Sequence, residues 1–498
     1  MLTIIAGISE NALSQTYYVS ATGSDSNSGT LTSPFKTIAK AVSVVQAGET
    51  IYVRGGTYSL TATITMGKSG TENARISLLT YPGEKPVLDF SNQTLSTSNR
   101  GVVLTGSYWH IKGFDITGAG DNGMLISGGN NNIIELCNFY RNRDSGLQID
   151  NGASGNTIIN CDSYFNADPP DYGDADGFAP KLTAGSGNHF SGCRAWRNCD
   201  DGWDGYLRGA DDVSTSLENC WAFENGYFEN GDDAGVNANG NGFKMGGSDD
   251  KMLMHNFTLK NCLAFANKSK GFDQNNNKGS MTLYNCTGHD NDIANYRITQ
   301  ALAVGKVLTV KNCAEYGSKV ELGAFAVQEK NSWLSPFVVT ADDFRSFVAT
   351  GADGPRRADG SLPHIEYMHL IAGSDLIDAG VNVGLPYAGT APDLGCFETG
   401  LTAAVDIRIS KTVIFYPNPV TDIGFIRFTA DAGGRCEILL YDVTGRVIKT
   451  IADRVIEQGE HTFRLDLSDT RDGLYLYRIK LNHKQIFIGR IIKVQSAN

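Results

Sequence analysis

Nowhere in the 498 residues does an apolar run reach the roughly 18 residues that a membrane-crossing helix needs, so the sequence holds no spanning helix. Charge is sparse, at 19% of residues, and its basic part is the smaller: 42 Lys and Arg face 54 Asp and Glu, for a net charge of −12. That balance argues against a nucleic-acid or anionic-membrane binder, whose contact face would be basic. The 3.6-residue apolar stripe of amphipathic helices is missing outside one short segment, and so is the Leu-x-x-Leu-x-Leu spacing of leucine-rich horseshoes. Helical arrays are thereby excluded. At the start, a short apolar run from Leu2 to Ile8 lacks the positively charged stretch that opens a signal peptide, and residues 1–16 read as a truncated export signal.

What is abundant is glycine, 57 residues, beside 41% hydrophobic residues, a mixture typical of turn-rich β proteins. A frame Cys-x-x-aromatic-x-Asn recurs as Cys137/Tyr140/Asn142, Cys161/Tyr164/Asn166, Cys193/Trp196/Asn198, Cys220/Phe223/Asn225 and Cys262/Phe265/Asn267. It continues as Cys286/His289/Asn291 and fades at Cys313/Tyr316/Ser318. Successive cysteines are 24, 32, 27, 42, 24 and 27 residues apart, a period of about 24 with two larger insertions. Such a unit is too short to fold alone and carries β-type alternation, as in Thr157-Ile158-Ile159-Asn160, so the units stack as coils of a parallel β-helix. Equivalent residues of adjacent coils then lie about 4.8 Å apart, Cys upon Cys and Asn upon Asn. The thiols are expected to be free and packed, the Asn column to satisfy buried turn amides.

The spacing in Ser33–Val42 predicts a short helix capping the first coil, with Pro34 in its first turn. The β-helix is expected over 17–398, its last part, from Ser335, packing back as a tail. A linker over 399–411 leads to alternating strands such as Phe425-Ile426-Arg427-Phe428 and Ile438-Leu439-Leu440-Tyr441, with a turn at Asp442-Val443-Thr444-Gly445. These predict a small β-sandwich over 412–498. The fold class is all-β.

The repeat also aligns the coils. Gly-apolar pairs at Gly146-Leu147, Gly177-Phe178, Gly202-Trp203, Gly242-Phe243 and Gly271-Phe272 follow each Asn, with Asn295-Tyr296 next. If the apolar member points inward, the following residues form an outward column: Gln148, Ala179, Asp204, Lys244, Asp273, Arg297. Acids gather on the same turn at Asp176, Asp200, Asp201 and Asp204, and four carboxylates in two coils repel unless a cation sits among them. With oxygen donors and no His or Cys ligand, the expected ion is Ca²⁺. The pairs Asp211-Asp212, Asp232-Asp233 and Asp249-Asp250 read as solvated loops.

Three segments resemble the family 9 polysaccharide lyases: Asp174-Ala175-Asp176-Gly177-Phe178-Ala179-Pro180-Lys181, Asp200-Asp201-Gly202-Trp203-Asp204, and Asn239-Gly240-Asn241-Gly242-Phe243-Lys244-Met245-Gly246-Gly247. The resemblance runs from about Tyr17 to Glu398 and includes Lys270 to Asn277; the stretch Tyr227–Val236 departs from the pattern. It implies a right-handed parallel β-helix cutting pectate by β-elimination, with Lys244 as base and calcium held by Asp176, Asp200, Asp201 and Asp204. Lys181, Asp273, Asn275 and Arg297 are the expected substrate contacts. An alkaline optimum is expected, because Lys244 must be neutral to accept a proton. Rhamnogalacturonan lyases share the resemblance, so the polymer stays open. A polygalacturonase-type hydrolase using Asp200 and Asp201, and a glycan-binding β-helix without catalysis, are the rival readings. The end of the chain is similar to type IX secretion sorting domains, through Tyr416-Pro417-Asn418-Pro419, Asp442-Val443-Thr444-Gly445-Arg446 and Gly473-Leu474-Tyr475. This resemblance implies a protein secreted or displayed by a Bacteroidetes-like bacterium, with the secretion machinery as a partner; the other expected partner is an acidic plant cell-wall polysaccharide, and a monomer is expected.

Overall fold

The computed structural model describes residues 15–400, 413–430, 434–442, 446–481 and 484–495. The expected export segment up to residue 14, linker residues 401–411 and turn residues 443–445 lie outside the described residues. The chain forms two compact units, residues 1–400 and 401–498.

In the first unit every third strand pairs in parallel, giving one sheet of twelve strands and two of ten that wind as a right-handed parallel β-helix. The Cys-x-x-aromatic-x-Asn frame has a conformational cause. The residue before each cysteine (Leu136, Asn160, Gly192, Asn219, Asn261, Asn285, Asn312) has φ between 50° and 63°. The residue between aromatic and Asn is left-handed too, from Arg197 at 47° to Phe165 at 59°, with Gly317 at 78° in the fading copy. These left-handed residues bend the chain at both ends of a three-residue strand, and asparagine is among the non-glycine residues that best tolerate that region. Between the bends, the cysteine and the residue two before the Asn-side bend point inward.

Each column packs as its chemistry allows. The cysteines from Cys137 to Cys313 are buried and free. Rings stack from Tyr140 through Tyr164, Trp196 and Phe223 to Phe265, with interplanar angles of 12° or less. On the inner side of the site-bearing sheet, Phe178, Trp203, Phe243, Phe272 and Tyr296 stack at 4.8–5.2 Å. The asparagines form a continuous ladder: the Nδ2 of Asn142, Asn166, Asn198, Asn225 and Asn267 each donates to the Oδ1 of the next at 2.8–3.0 Å. A second, shorter ladder, Asn132–Asn156–Asn188, lies at another corner and was not legible in the frame.

The capping helix spans Ile38–Val44 and buries Ile38, Ala41 and Val42 on the core. It starts four residues later than the sequence spacing predicts, because Phe35 bridges to Val19 and Asp25 holds the Lys36 and Thr37 amides, keeping this stretch extended up to the N-cap Thr37. The tail returns over the third sheet, where Phe344, Ile365, Tyr367, Met368, Leu370, Leu376 and Leu394 cover Trp196, Trp221, Phe223, Leu263 and Phe265. Asp162, bonded by both Arg194 and Arg356, ties it down. The described strands of the second unit pair antiparallel, a three-stranded and a four-stranded sheet sharing one core that includes Ile426, Phe428, Phe463, Ile438, Leu440 and Ile479, with one parallel bridge between Val420 and Lys493.

Asn198 is fully buried; its amide donates to Asn225 and to the Ser163 carbonyl, and its Oδ1 accepts from Asn166. Asn198→Ala strands partners on both adjacent coils and is expected to destabilise the β-helix by about 2–4 kcal/mol. A fall in the urea midpoint reads this; an unchanged midpoint contradicts it.

Candidate active site

The outward column exists as registered pairs. Gln148 lies beside Ala179, Asp204 beside Lys244, Lys244 beside Asp273, and Asp273 beside Arg297, which in turn neighbours Glu321. One position before the Gly-apolar pair, a second column runs Ser145, Asp176, Asp201, Asn241, Lys270, each contributing its carbonyl to the glycine amide of the coil before. Two carboxylates are thus stacked directly on each other. Donors flank them: Ser145 Oγ lies 3.1 Å from Asp176 Oδ2, and Asn241 gives Asp201 Oδ1 its backbone N–H at 2.7 Å and its amide at 2.8 Å. The Asp201 N–H itself donates to Asp176 Oδ1 at 3.2 Å.

The two insertions of the repeat set these acids in place. Ala175, Cys199, Ala234 and Ala238 form a small satellite core with Tyr172 and Phe228 packed on it, and three of the four directly precede Asp176, Asp200 and Asn239. Asn239 then bonds Asp200 through its backbone N–H and its side-chain amide.

Two lysines enter the cluster. Lys181 Nζ lies 2.7 Å from Asp176 Oδ2 and 3.9 Å from Asp204; Lys244 Nζ lies 3.0 Å from Asp201 Oδ2 and 3.3 Å from Asp204 Oδ1. All six side chains are buried. Fully ionised, four carboxylates and two ammonium groups leave an excess of two negative charges. Burial pushes Asp176 and Asp200 well above the usual carboxylate range, Lys181 opposing this for Asp176 and the Asp201 charge adding to it for Asp200. Burial also raises Asp201, against the pull of Lys244. For Lys244 burial acts the other way, but the charges of Asp201, Asp204, Asp200 and Asp176 outweigh it and hold the ammonium well above its ordinary value. Burial leads for the carboxylates, and the surrounding negative charge decides the direction for Lys244.

One carboxylate oxygen from each of Asp176, Asp201 and Asp204 lies within 4.8 Å of the others. Asp201 Oδ2 is buried, accepts no hydrogen bond and faces only the Lys244 ammonium. An all-oxygen set whose buried Asp201 Oδ2 is met by an ammonium group alone, with two surplus negative charges when fully ionised, fits a hard divalent cation. His255 is not available as a ligand: both its ring nitrogens are engaged, by the Gly205 carbonyl and by Thr215.

Not every expected residue converges. Asp200 is turned to Asn239 rather than into the triad. Lys181 is enclosed in the cluster rather than open to a ligand. Asp273 neighbours Lys244 but faces Lys270 at 3.4 Å, Arg297 extends outward to Glu321 at 3.1 Å, and Asn275 bonds the Gly246 carbonyl in a turn. Sequence reasoning missed Ser145 and Asn241, whose place in the acid column was readable from the alignment, and Tyr206, which follows the strand in a stretch without alternation. Tyr206 N donates to Asp204 Oδ1 at 2.9 Å.

Residues 17–313 match the family model for the Pel9A-like right-handed β-helix region. The chain belongs to that family. Residues 414–494 match the secretion-system C-terminal sorting domain. Pectate lyase L of Dickeya dadantii (strain 3937) is 38% identical over 407 residues, covering 79% of this chain and 92% of the relative. Pectate lyase L of Paenibacillus polymyxa (strain SC2) is 39% identical, covering 69% and 79%. Among solved structures, that of pectate lyase Pel9A is 38% identical with a TM-score of 0.71, covering 78% of this chain and 97% of that one. A rhamnogalacturonan lyase is 30% identical with a TM-score of 0.64, covering 72% and 97%. This Pel9A-like protein is a polysaccharide lyase, a carbon–oxygen lyase, and is secreted or held at the cell surface.

Lys181→Met would leave the fully buried Asp176 without its cation. In chelator, this variant is expected to lose about 3 kcal/mol of stability, the scale of breaking a buried ion pair from one side. A thermal melt in chelator matching the parent would show that the pair is energetically idle.

Proposed function

We propose that the protein cleaves pectate by β-elimination, with Lys244 as the base and a calcium ion held by Asp176, Asp201 and Asp204, while Asp200, turned to Asn239, adds its charge from behind. The observation that carries this reading is the Lys244 ammonium, buried and registered between Asp204 and Asp273 while touching two carboxylates of the acid cluster. The pectate lyase relatives support the substrate class. The rhamnogalacturonan lyase likeness favours a second polymer for the same chemistry.

Neutral Lys244 takes the C5 proton beside the uronate carboxylate. The C–H electron pair becomes the C4=C5 bond, and the C4–O bond breaks with its pair leaving on oxygen, which gains a proton from water. When bound, calcium supplies positive charge at the uronate carboxylate, where negative charge builds in the transition state. Ser145 and Asn241 fix the stacked carboxylates, and Lys181 holds Asp176.

The test measures ultraviolet absorbance of unsaturated product from polygalacturonate and from rhamnogalacturonan, with and without chelator. Lys244→Ala is expected to lose about 10³-fold in kcat, a general base's share, with the fold retained. Asp201→Ala should lower calcium affinity and activity together, excess calcium restoring part of the latter. Chelator-resistant activity would overturn the calcium assignment. Because Lys244 must shed its proton and its neighbours favour the protonated form, activity should rise about tenfold per pH unit below its pKa, toward an alkaline optimum. A flat profile from pH 6 to about 9 would count against Lys244. Removing residues 401–498 is expected to leave the purified β-helix folded and active while blocking its export from the producing cell.

A further inference from the structure

Beside the base, outside the acid cluster, three side chains that the sequence left unassigned meet on one rim. Tyr206 follows the strand of Asp204, and Lys244 Nζ lies 5.6 Å from its ring centroid. The Arg208 guanidinium lies at the same 5.6 Å from that ring. Asp249 joins the two from outside, accepting the Tyr206 hydroxyl at 2.7 Å and Arg208 Nε at 3.2 Å. The backbone beneath is fixed, because Leu207 bridges Leu182 and Ser248 on the adjacent coils and Arg208 N donates to the Leu182 carbonyl at 2.8 Å. Arg208 is more than half exposed, and among the described residues only its Nε is bonded, so its terminal nitrogens are available to a ligand.

We propose that Tyr206 and Arg208 form a uronate subsite next to the reacting sugar, the ring supporting the pyranose and the guanidinium taking its carboxylate. This rests on the pectate reading above. The chemistry matches: a guanidinium fork pairs with a carboxylate through two parallel hydrogen bonds, and a partly buried phenol offers an apolar face with a polar tip. Asp249 holds Arg208 through Nε alone, orienting the fork without occupying it. Of the expected cationic contacts, Lys181 is enclosed, and Arg297, bonded to Glu321 through its Nε in the same way, stands two coils from Lys244.

Calorimetric titration of trigalacturonate into Lys244→Ala and into Lys244→Ala/Arg208→Gln protein separates binding from turnover. The double variant is expected to bind about five- to tenfold more weakly, as for loss of an exposed charge-assisted pair, with Arg208→Lys in between. Uncharged trigalactose should bind both proteins alike. With Lys244 intact, Arg208→Gln should raise KM for polygalacturonate by the same factor and leave kcat within about twofold. Tyr206→Leu, tested the same way, should weaken trigalacturonate and trigalactose together. Equal trigalacturonate affinity with and without Arg208, no binding to either, or a loss confined to kcat would overturn the subsite. Failure of the parent reading shows separately, as absence of unsaturated product from the unmodified protein.

Discussion

A parallel β-helix sets every residue on its counterpart one coil away, and that spacing of about 4.8 Å is the constraint from which the rest of this molecule follows. Neutral residues profit from it. Cysteine fills a narrow inward slot, flat rings stack, and an asparagine amide is both donor and acceptor, so identical copies bond to each other without end. Carboxylates have no such self-complementarity. Where Asp176 and Asp201 stack, the protein spends a serine, an asparagine and two lysines on them and still retains surplus negative charge. A stack of like charges inside such a fold is therefore informative in a way that a stack of asparagines is not.

The same constraint is met differently two coils earlier. Asp121 and Asp144 occupy equivalent positions, and burial, then the Asp144 charge, push Asp121 up to about 7 despite Arg100 at 3.0 Å. One arginine stands against that pair. At Asp176, Asp201 and Asp204 three carboxylates converge on one volume, with Asp200 behind them, and two lysines leave their charge in excess. Along the outward column the solution is alternation instead: Asp204, Lys244, Asp273, Arg297 and Glu321 succeed one another with opposite sign, an arrangement that favours each pair across its strands.

How much of this could be read from the sequence follows from what the repeat encodes. The frame records strand length and bend positions, because each bend needs a left-handed residue and each strand a fixed inward pattern, so coil register and the outward column were legible down to individual residues such as Lys244. The capping helix was misplaced by four residues because its start depends on Asp25, eleven residues before Lys36 and outside any local pattern. Side-chain direction was less legible than position. Register predicts that Arg297 stands two coils from Lys244, but not that Glu321, one coil further, draws its guanidinium away. Nor does the repeat say anything about insertions, which carry no counterpart to align with.

Those insertions nevertheless decide the site. Their satellite core of Ala175, Cys199, Ala234 and Ala238 is small, yet three of its members are each joined by one peptide bond to a residue of the acid cluster or its support. Burying such a side chain fixes the backbone beside it, and a carboxylate on a fixed backbone has few rotamers left in which to escape its neighbours. The repulsion within the cluster is thus held by hydrophobic packing outside it, in a region where the regular coil is interrupted. On the opposite rim the regular coil resumes at Leu182, Leu207 and Ser248, and there the polar side chains Tyr206 and Arg208 stand on a rigid sheet edge rather than on a packed loop. The cation cluster needs enclosure to keep its charges concentrated, whereas a surface that receives a polymer must stay open, and the two sides of the base are built accordingly.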